Sequence, residues 1–230
     1  MKSVHPNLQN LSLAAKSLAP LNIEVVFVGG ATAILYVDDQ ASSLPRPTVD
    51  VDCVVEVAST LEYHKLEEKM RAIGFQNDTS DGAPICRWKK GPLIVDLMPV
   101  DSKILGFSNS WYEEGFRGSQ KIRLFDGSQI SIFSFSYFVA SKFEALMSRG
   151  VKDLILSQDL EDILFVMEGR KNFLQDLREG PEDVLNFVRK SSVEISKMPD
   201  FEQAVMGNMP RGLVFERQQV ILRMFTQLSS

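Results

Sequence analysis

The chain has 230 residues, 25 of them basic and 30 acidic, for a net charge of −5, with 44% hydrophobic and 24% charged residues. A globular chain of that size can bury a core without disulfides or structural metal. No apolar run reaches the ~18–20 residues of a membrane span, the scattered Cys53, Cys86, His5 and His64 exclude a zinc finger, and the net charge offers no overall basic footprint for nucleic acid. The opening MKSVHP carries no secretory hydrophobic region and nothing suggests a disulfide framework, so the setting expected is reducing and cytoplasmic.

Charge marks no boundary along the chain, but hydrophobic period does. Pro6 opens a helix ending near Pro20, with Leu8, Leu11, Leu13, Ala14 and Leu18 on its apolar side. Residues 24–28 (EVVFV) read as a buried strand, broken by Gly29 and Gly30, and 31–37 as a short helix. Residues 38–47 form a polar, Pro-containing loop, and 49–57 (VDVDCVVEV) a strand. Ser59 with Glu62 makes a capping box for a helix closed by Gly74. Two hairpins follow, 85–90 with 93–100 around Gly91–Pro92, and 121–125 with 129–133 around Asp126–Gly127. After Ser134 strand signals stop. Helices are predicted over 135–148, 157–167 with Ser157 as N-cap, 172–177, 181–197 and 212–228. The organisation expected is an α/β region over 1–133 and a helical domain over 134–230.

The segment 26–57 carries the chemistry. A glycine pair follows a buried strand, and Asp50 and Asp52 lie on the next strand. Side chains two apart on a strand share a face, so these carboxylates project together. Their repulsion is relieved by a divalent cation, magnesium being held by one or two carboxylates and substrate phosphates. Gly29–Gly30 lets backbone N–H groups approach a phosphate, the following helix adds its N-terminal end, and Thr32 can add a hydroxyl. A third carboxylate, Asp96, sits inside the apolar strand LIVDLMPV, where it needs a metal or a pairing with Arg87 or Lys89 across the hairpin.

Strand, Gly-Gly, helix, Asp-x-Asp strand and third acid, in that order, resemble the DNA polymerase β-type nucleotidyltransferase superfamily, with Gly29, Gly30, Asp50, Asp52 and Asp96 matching in type. The run from Arg46 through Thr48 to Asp50 and Asp52 looks like the AbiEii-type, toxin-like subgroup. So does KFEALMSRGVKDLILSQDLED from Lys142, through Lys142, Ala145–Leu146, Arg149, Asp159 and Asp162. The resemblance implies an α+β fold: a nucleotidyltransferase-like mixed β-sheet flanked by helices, then an all-helical C-terminal region. It implies catalytic and metal-binding roles for Asp50, Asp52 and Asp96, with two magnesium ions or manganese in their place. Nucleotide contacts would come from Gly29, Gly30, Thr32, Arg46, Lys142 and Asp159, Arg46 being otherwise a loop cation. The implied partners are a nucleoside triphosphate, an RNA acceptor and a cognate antitoxin, with no membrane. Two alternatives stand beside this: a small-molecule nucleotidyltransferase, and a non-catalytic nucleotide-binding or protein-interaction module on the same fold. An RNA acceptor would draw on Arg87, Lys89, Lys90, Lys103, Arg117, Lys121 and Arg123.

Overall fold

The computed structural model describes residues 4–38, 44–208 and 214–229. Residues 1–3, the middle of the expected loop (39–43) and the first two positions of the last expected helix (212–213) lie outside the described residues. The chain divides into two compact units, Met1–Thr32 with Arg46–Ser134, and Ala33–Pro45 with Phe135–Ser230.

The first unit runs α1 (Pro6–Leu18), β1 (Val26–Val28), β2 (Asp50–Val55), α2 (Thr60–Ala72), β3 (Gln76–Asn77), β4 (Arg87–Lys90), β5 (Leu93–Pro99), α3 (Ser102–Leu105), α4 (Tyr112–Arg117), β6 (Gln120–Arg123) and β7 (Gln129–Ile132). Its seven strands form one sheet in the order β3-β4-β5-β2-β1-β7-β6. The sheet is mixed, because β2 with β5 and β1 with β7 are parallel while the remaining neighbours are antiparallel. The period-two pattern decides its faces: Val51, Cys53, Val55, Val95 and Leu97 are buried on one side, which leaves Asp50, Asp52 and Asp96 on the other. Helix α1 packs on β2 and β5 and buries Leu11, Ala14 and Leu18, while Leu13, expected on the same side, is exposed because it lies two positions on from Leu11, about 200° around the helix. Its N-cap is His5, whose Nδ1 accepts the Asn7 N–H at 3.2 Å, an uncommon cap that composition does not flag. Helix α2 has the expected cap, with the Ser59 hydroxyl accepting the Glu62 N–H, and Gly74 at φ +90° ends it.

The second unit holds α5 (Phe135–Ser148), α6 (Gln158–Gly169), α7 (Phe173–Arg178), α8 (Glu182–Ser196), α9 (Phe201–Gly207) and α10 (Val214–Ser229). Helix α5 is buried along most of its length and packs on α6, α7 and α8, while α10 packs on α6, α8 and α9. Phe225 of α10 meets Phe201 edge-on at 4.9 Å between ring centroids. Residues 33–38 group with these helices rather than with the sheet, unlike the division at 133/134 expected from the sequence. The reason is local: Tyr36 stacks on Phe138 at 4.3 Å, Arg170 donates to the Tyr36 carbonyl, and the Asp38 N–H donates to the Gly169 carbonyl. Elements that the sequence did not reveal are the short ones, β3, α3, α4 and α9, at two, four, six and seven residues. Among the described residues no helix is long and apolar enough to cross a membrane.

Candidate active site

Strand register assembles the site. In the parallel pair, Asp52 is the partner of Asp96, and Asp50 that of Ile94. In the antiparallel pair with β1, Asp52 is opposite Val28, so Gly29 at the end of β1 lies directly beside the Asp52 side chain. A Cβ built on Gly29 would stand 1.9 Å from Asp52 Oδ2. Gly29 also has φ +72°. Both observations require glycine there. The turn is closed by Thr32, whose N–H and hydroxyl both meet the Gly29 carbonyl, at 3.2 and 2.8 Å. Thr32 is fully buried, so its hydroxyl serves the turn. The helix after the glycines is a seven-residue 3-10 segment, Gly30–Tyr36, too short and too tightly wound for the dipole end expected of it.

The loop before β2 is pinned to α1. Asn7, fully buried, donates through Nδ2 to the Arg46 carbonyl at 3.0 Å and accepts the Thr48 N–H at 2.9 Å. Asn10 donates to the Thr48 carbonyl. Arg46 and Thr48 are thus fixed four and two positions before Asp50, which sets where the acidic strand starts.

A cation already sits among the carboxylates. Arg87 is the antiparallel partner of Asp96, and its guanidinium forks onto it, Nε to Oδ1 at 2.8 Å and Nη2 to Oδ2 at 2.7 Å. The same Nη2 also donates to Asp50 Oδ2. The hydrogen bonds to Asp96 push the Arg87 guanidinium up from its ordinary value against the opposing effect of desolvation, with Asp96, Asp50 and Asp52 adding attraction. Among the described residues no three His, Cys, Asp or Glu side chains stand grouped as metal ligands. Three carboxylates share one face beside a glycine turn, with the Arg87 guanidinium between two of them, and these are the oxygen donors that could hold a hard divalent cation in its place. Cys53, next to Asp52 but on the buried face, has its thiol pushed well up by burial and behaves as a small hydrophobe.

Lys142 and Asp159 lie in the second unit and are committed to one another. Lys142 Nζ stands 3.2 Å from Asp159 and 2.7 Å from Asp162, and Arg149 Nε meets Asp159 at 2.8 Å. Burial pushes the Asp159 carboxyl up, but the Arg149 hydrogen bond and the Lys142 charge outweigh it and hold it below the ordinary carboxylate value. These two acids point into the α5–α6 contact rather than acting as exposed first-turn charges.

Four of the seven basic residues of 87–123 named above have partners within the first unit. Arg87 is in the acidic cluster, Lys89 pairs with Asp78 at 2.7 Å, Lys90 donates to the Ile73 carbonyl, and Arg117 pairs with Glu113. Trp88 is buried with Arg71 over its ring, a packing role and not a base platform.

No family model and no curated protein matches the chain. Among solved structures it is similar to an antigenic nucleotidyltransferase-like protein from Paracoccidioides brasiliensis, at 20% identity over 91% of this chain and 96% of that one, TM-score 0.47. It is also similar to the antibiotic-resistance factor ANT(2'')-Ia in its solution structure, at 11% identity over 82% and 92% of the two chains, TM-score 0.49. The crystal structure of ANT(2'')-Ia in complex with adenylyl-2''-tobramycin gives 12% identity over 81% and 98%, TM-score 0.46. Each is a likeness of overall fold.

Proposed function

We propose that this chain is a divalent-metal-dependent nucleotidyltransferase that moves a nucleoside monophosphate from a triphosphate to an acceptor hydroxyl. One observation carries the reading: Asp50, Asp52 and Asp96 share a face of adjacent strands, with the Asp52 carboxylate packed against the Gly29 turn. Asp50, Asp52 and Asp96 would hold magnesium or manganese, which supplies charge neutralisation to the phosphates and the attacking oxygen when bound. Gly29 and Gly30 present backbone to the triphosphate without a side chain in the way. Asn7 holds the Arg46–Thr48 segment, which orients the acidic strand. The acceptor hydroxyl attacks the α-phosphorus in line, the oxygen–phosphorus bond to the leaving group breaks, and pyrophosphate departs. Asp96, the most buried of the three acids, assists the attacking hydroxyl.

The acceptor proposed is an RNA end, in a setting with a cognate antitoxin, on the strength of the AbiEii-like run from Arg46 to Asp52. The assay is incubation with each labelled triphosphate, a divalent cation and a total RNA pool. A labelled RNA product is expected, and it should vanish in Asp50→Ala and in Asp52→Ala while both variants stay folded. Product from both variants would sink the reading.

Arg87 favours a second reading, since a protein that binds nucleotide without chemistry could keep the cluster closed by its own guanidinium. Thermal stability separates the two. A triphosphate-dependent rise that needs the divalent cation supports the enzyme, and a rise without it supports the binding module.

A further inference from the structure

We infer that Arg87 is a resident counter-ion that competes with the divalent cation for Asp50 and Asp96, so that metal loading and Arg87 release are one exchange. The inference rests on the metal-dependent reading above. It starts from a single atom. Arg87 Nη2 donates to Oδ2 of both Asp50 and Asp96, so a positively charged donor already stands at the point the two carboxylates share. An N–H···O contact of 2.7 Å is only about 0.6 Å longer than a magnesium–oxygen bond. A cation replacing that nitrogen therefore needs little movement of the strands, whose register holds the acids in place.

Two cations cannot occupy that point together. The guanidinium must leave, and the structure gives it a way out. Its side chain is 22% exposed against 8% for Asp96, so its outer edge already reaches water. Its position on β4 opposite Asp96 keeps it tethered at the rim after release. A planar guanidinium displaced from carboxylates is suited to phosphate oxygens, which it binds with the same fork. The triphosphate and the metal thus arrive as a pair: the metal takes the carboxylates, and the triphosphate takes the arginine. The exchange makes an acidic site whose Asp50 and Asp96 keep a counter-ion when no metal is bound, and in which nucleotide and metal binding reinforce one another.

The test is direct manganese binding, read by the loss of the free-ion electron paramagnetic resonance signal, in the wild type, Arg87→Met, Arg87→Lys and Asp52→Asn. Losing a charge-assisted contact that the metal must displace corresponds to roughly a tenfold change in affinity. Arg87→Met is expected to bind manganese about tenfold tighter than wild type without nucleotide. Arg87→Lys, which keeps the charge but cannot fork, should fall between. Should Arg87→Met fail to fold, the Arg87→Lys shift carries the same sign and decides the matter. Asp52→Asn should lose binding, which ties the measured ion to this cluster. Equal or weaker binding in folded Arg87→Met, with the wild type binding manganese, overturns the exchange and leaves the metal-dependent reading standing. Manganese bound by no folded variant, or bound unchanged by Asp52→Asn, overturns both.

Discussion

Gly29→Ala offers the sharpest check on the site's geometry, because two separable costs meet at that residue. The first is backbone strain. At φ +72° an L side chain costs about 1–2 kcal/mol over glycine. The second is the close approach of Asp52, whose Oδ2, Cγ and Cβ would stand 1.9, 2.8 and 2.9 Å from the new carbon. Oδ2 can swing away, but the Asp52 Cβ is fixed to strand β2, so the clash adds about 1–3 kcal/mol by overpacking. The total is about 2–5 kcal/mol. Gly127→Ala is the control, since Gly127 has φ +86° and nothing within 4 Å of its built Cβ. It should cost the backbone component alone, about 1–2 kcal/mol. The assay is urea unfolding followed by tryptophan fluorescence, which reports on the first unit, where Trp88 and Trp111 both lie. With a slope of about 1–3 kcal/mol per molar urea, the Gly29→Ala midpoint should lie about 1 M below that of Gly127→Ala. Coincident midpoints would show that Asp52 is not packed against the glycine turn, and the proposed site would lose its carrying observation.

Two further outcomes concern the second unit. Lys142→Met leaves Asp159 and Asp162 facing each other without the ammonium that bridges them, and breaking a buried pair from one side costs about 3–5 kcal/mol. Far-ultraviolet circular dichroism during thermal unfolding should show a large fall in transition temperature, and a change equivalent to less than about 1 kcal/mol would refute the pairing. The acid dependence follows from Asp159, which is held below its ordinary value. Its stabilisation is complete above the unfolded-state pKa of about 3.9 and is lost as pH falls through the lower folded-state value. Between pH 5 and pH 3 the wild type should lose more stability than Asp159→Asn, measured as urea midpoints by circular dichroism, and parallel losses would count against the ion pair.

Much of the site was legible because β2 alternates at its start, around Val51, and because Asp96 interrupts an apolar run in β5. Once they are strands, Asp50 and Asp52 must share a face, and Asp96 must break an apolar run. The Arg87–Asp96 pairing was half legible. A two-residue turn at Gly91–Pro92 puts Lys90 opposite Leu93, Lys89 opposite Ile94 and Arg87 opposite Asp96, so counting from the turn selects Arg87 over Lys89. Its hold on Asp50 was not legible, since β5 lies between β4 and β2 and that order is a non-local property of the sheet. The pairing of Lys142 with Asp159 was not legible for a similar reason. The two residues are joined only by the packing of α5 on α6 across the break at Gly150–Lys152, while the spacing of Asp159 and Asp162 also satisfies a capped helix start. Thr32 shows a third limit, where a hydroxyl beside a glycine turn can face a ligand or close the turn, and only its burial distinguishes the two.

Among the described residues two clusters place carboxylates around a basic side chain, and burial separates them. In the second unit, Asp159 and Asp162 face Lys142 and Arg149, and the four charges cancel. Lys142, Asp159 and Asp162 have side chains exposed by only 7%, 5% and 2%. Replacing a cation there would mean leaving a buried charge uncompensated at the moment of exchange, which is the costly case. That cluster therefore holds α5 to α6. In the first unit, the Arg87 guanidinium holds Asp50 and Asp96, and Asp50 and Arg87 remain 32% and 22% exposed. Water can reach those groups during an exchange, which lowers its cost. A cation pairing within reach of solvent is exchanged more cheaply than one held by buried carboxylates.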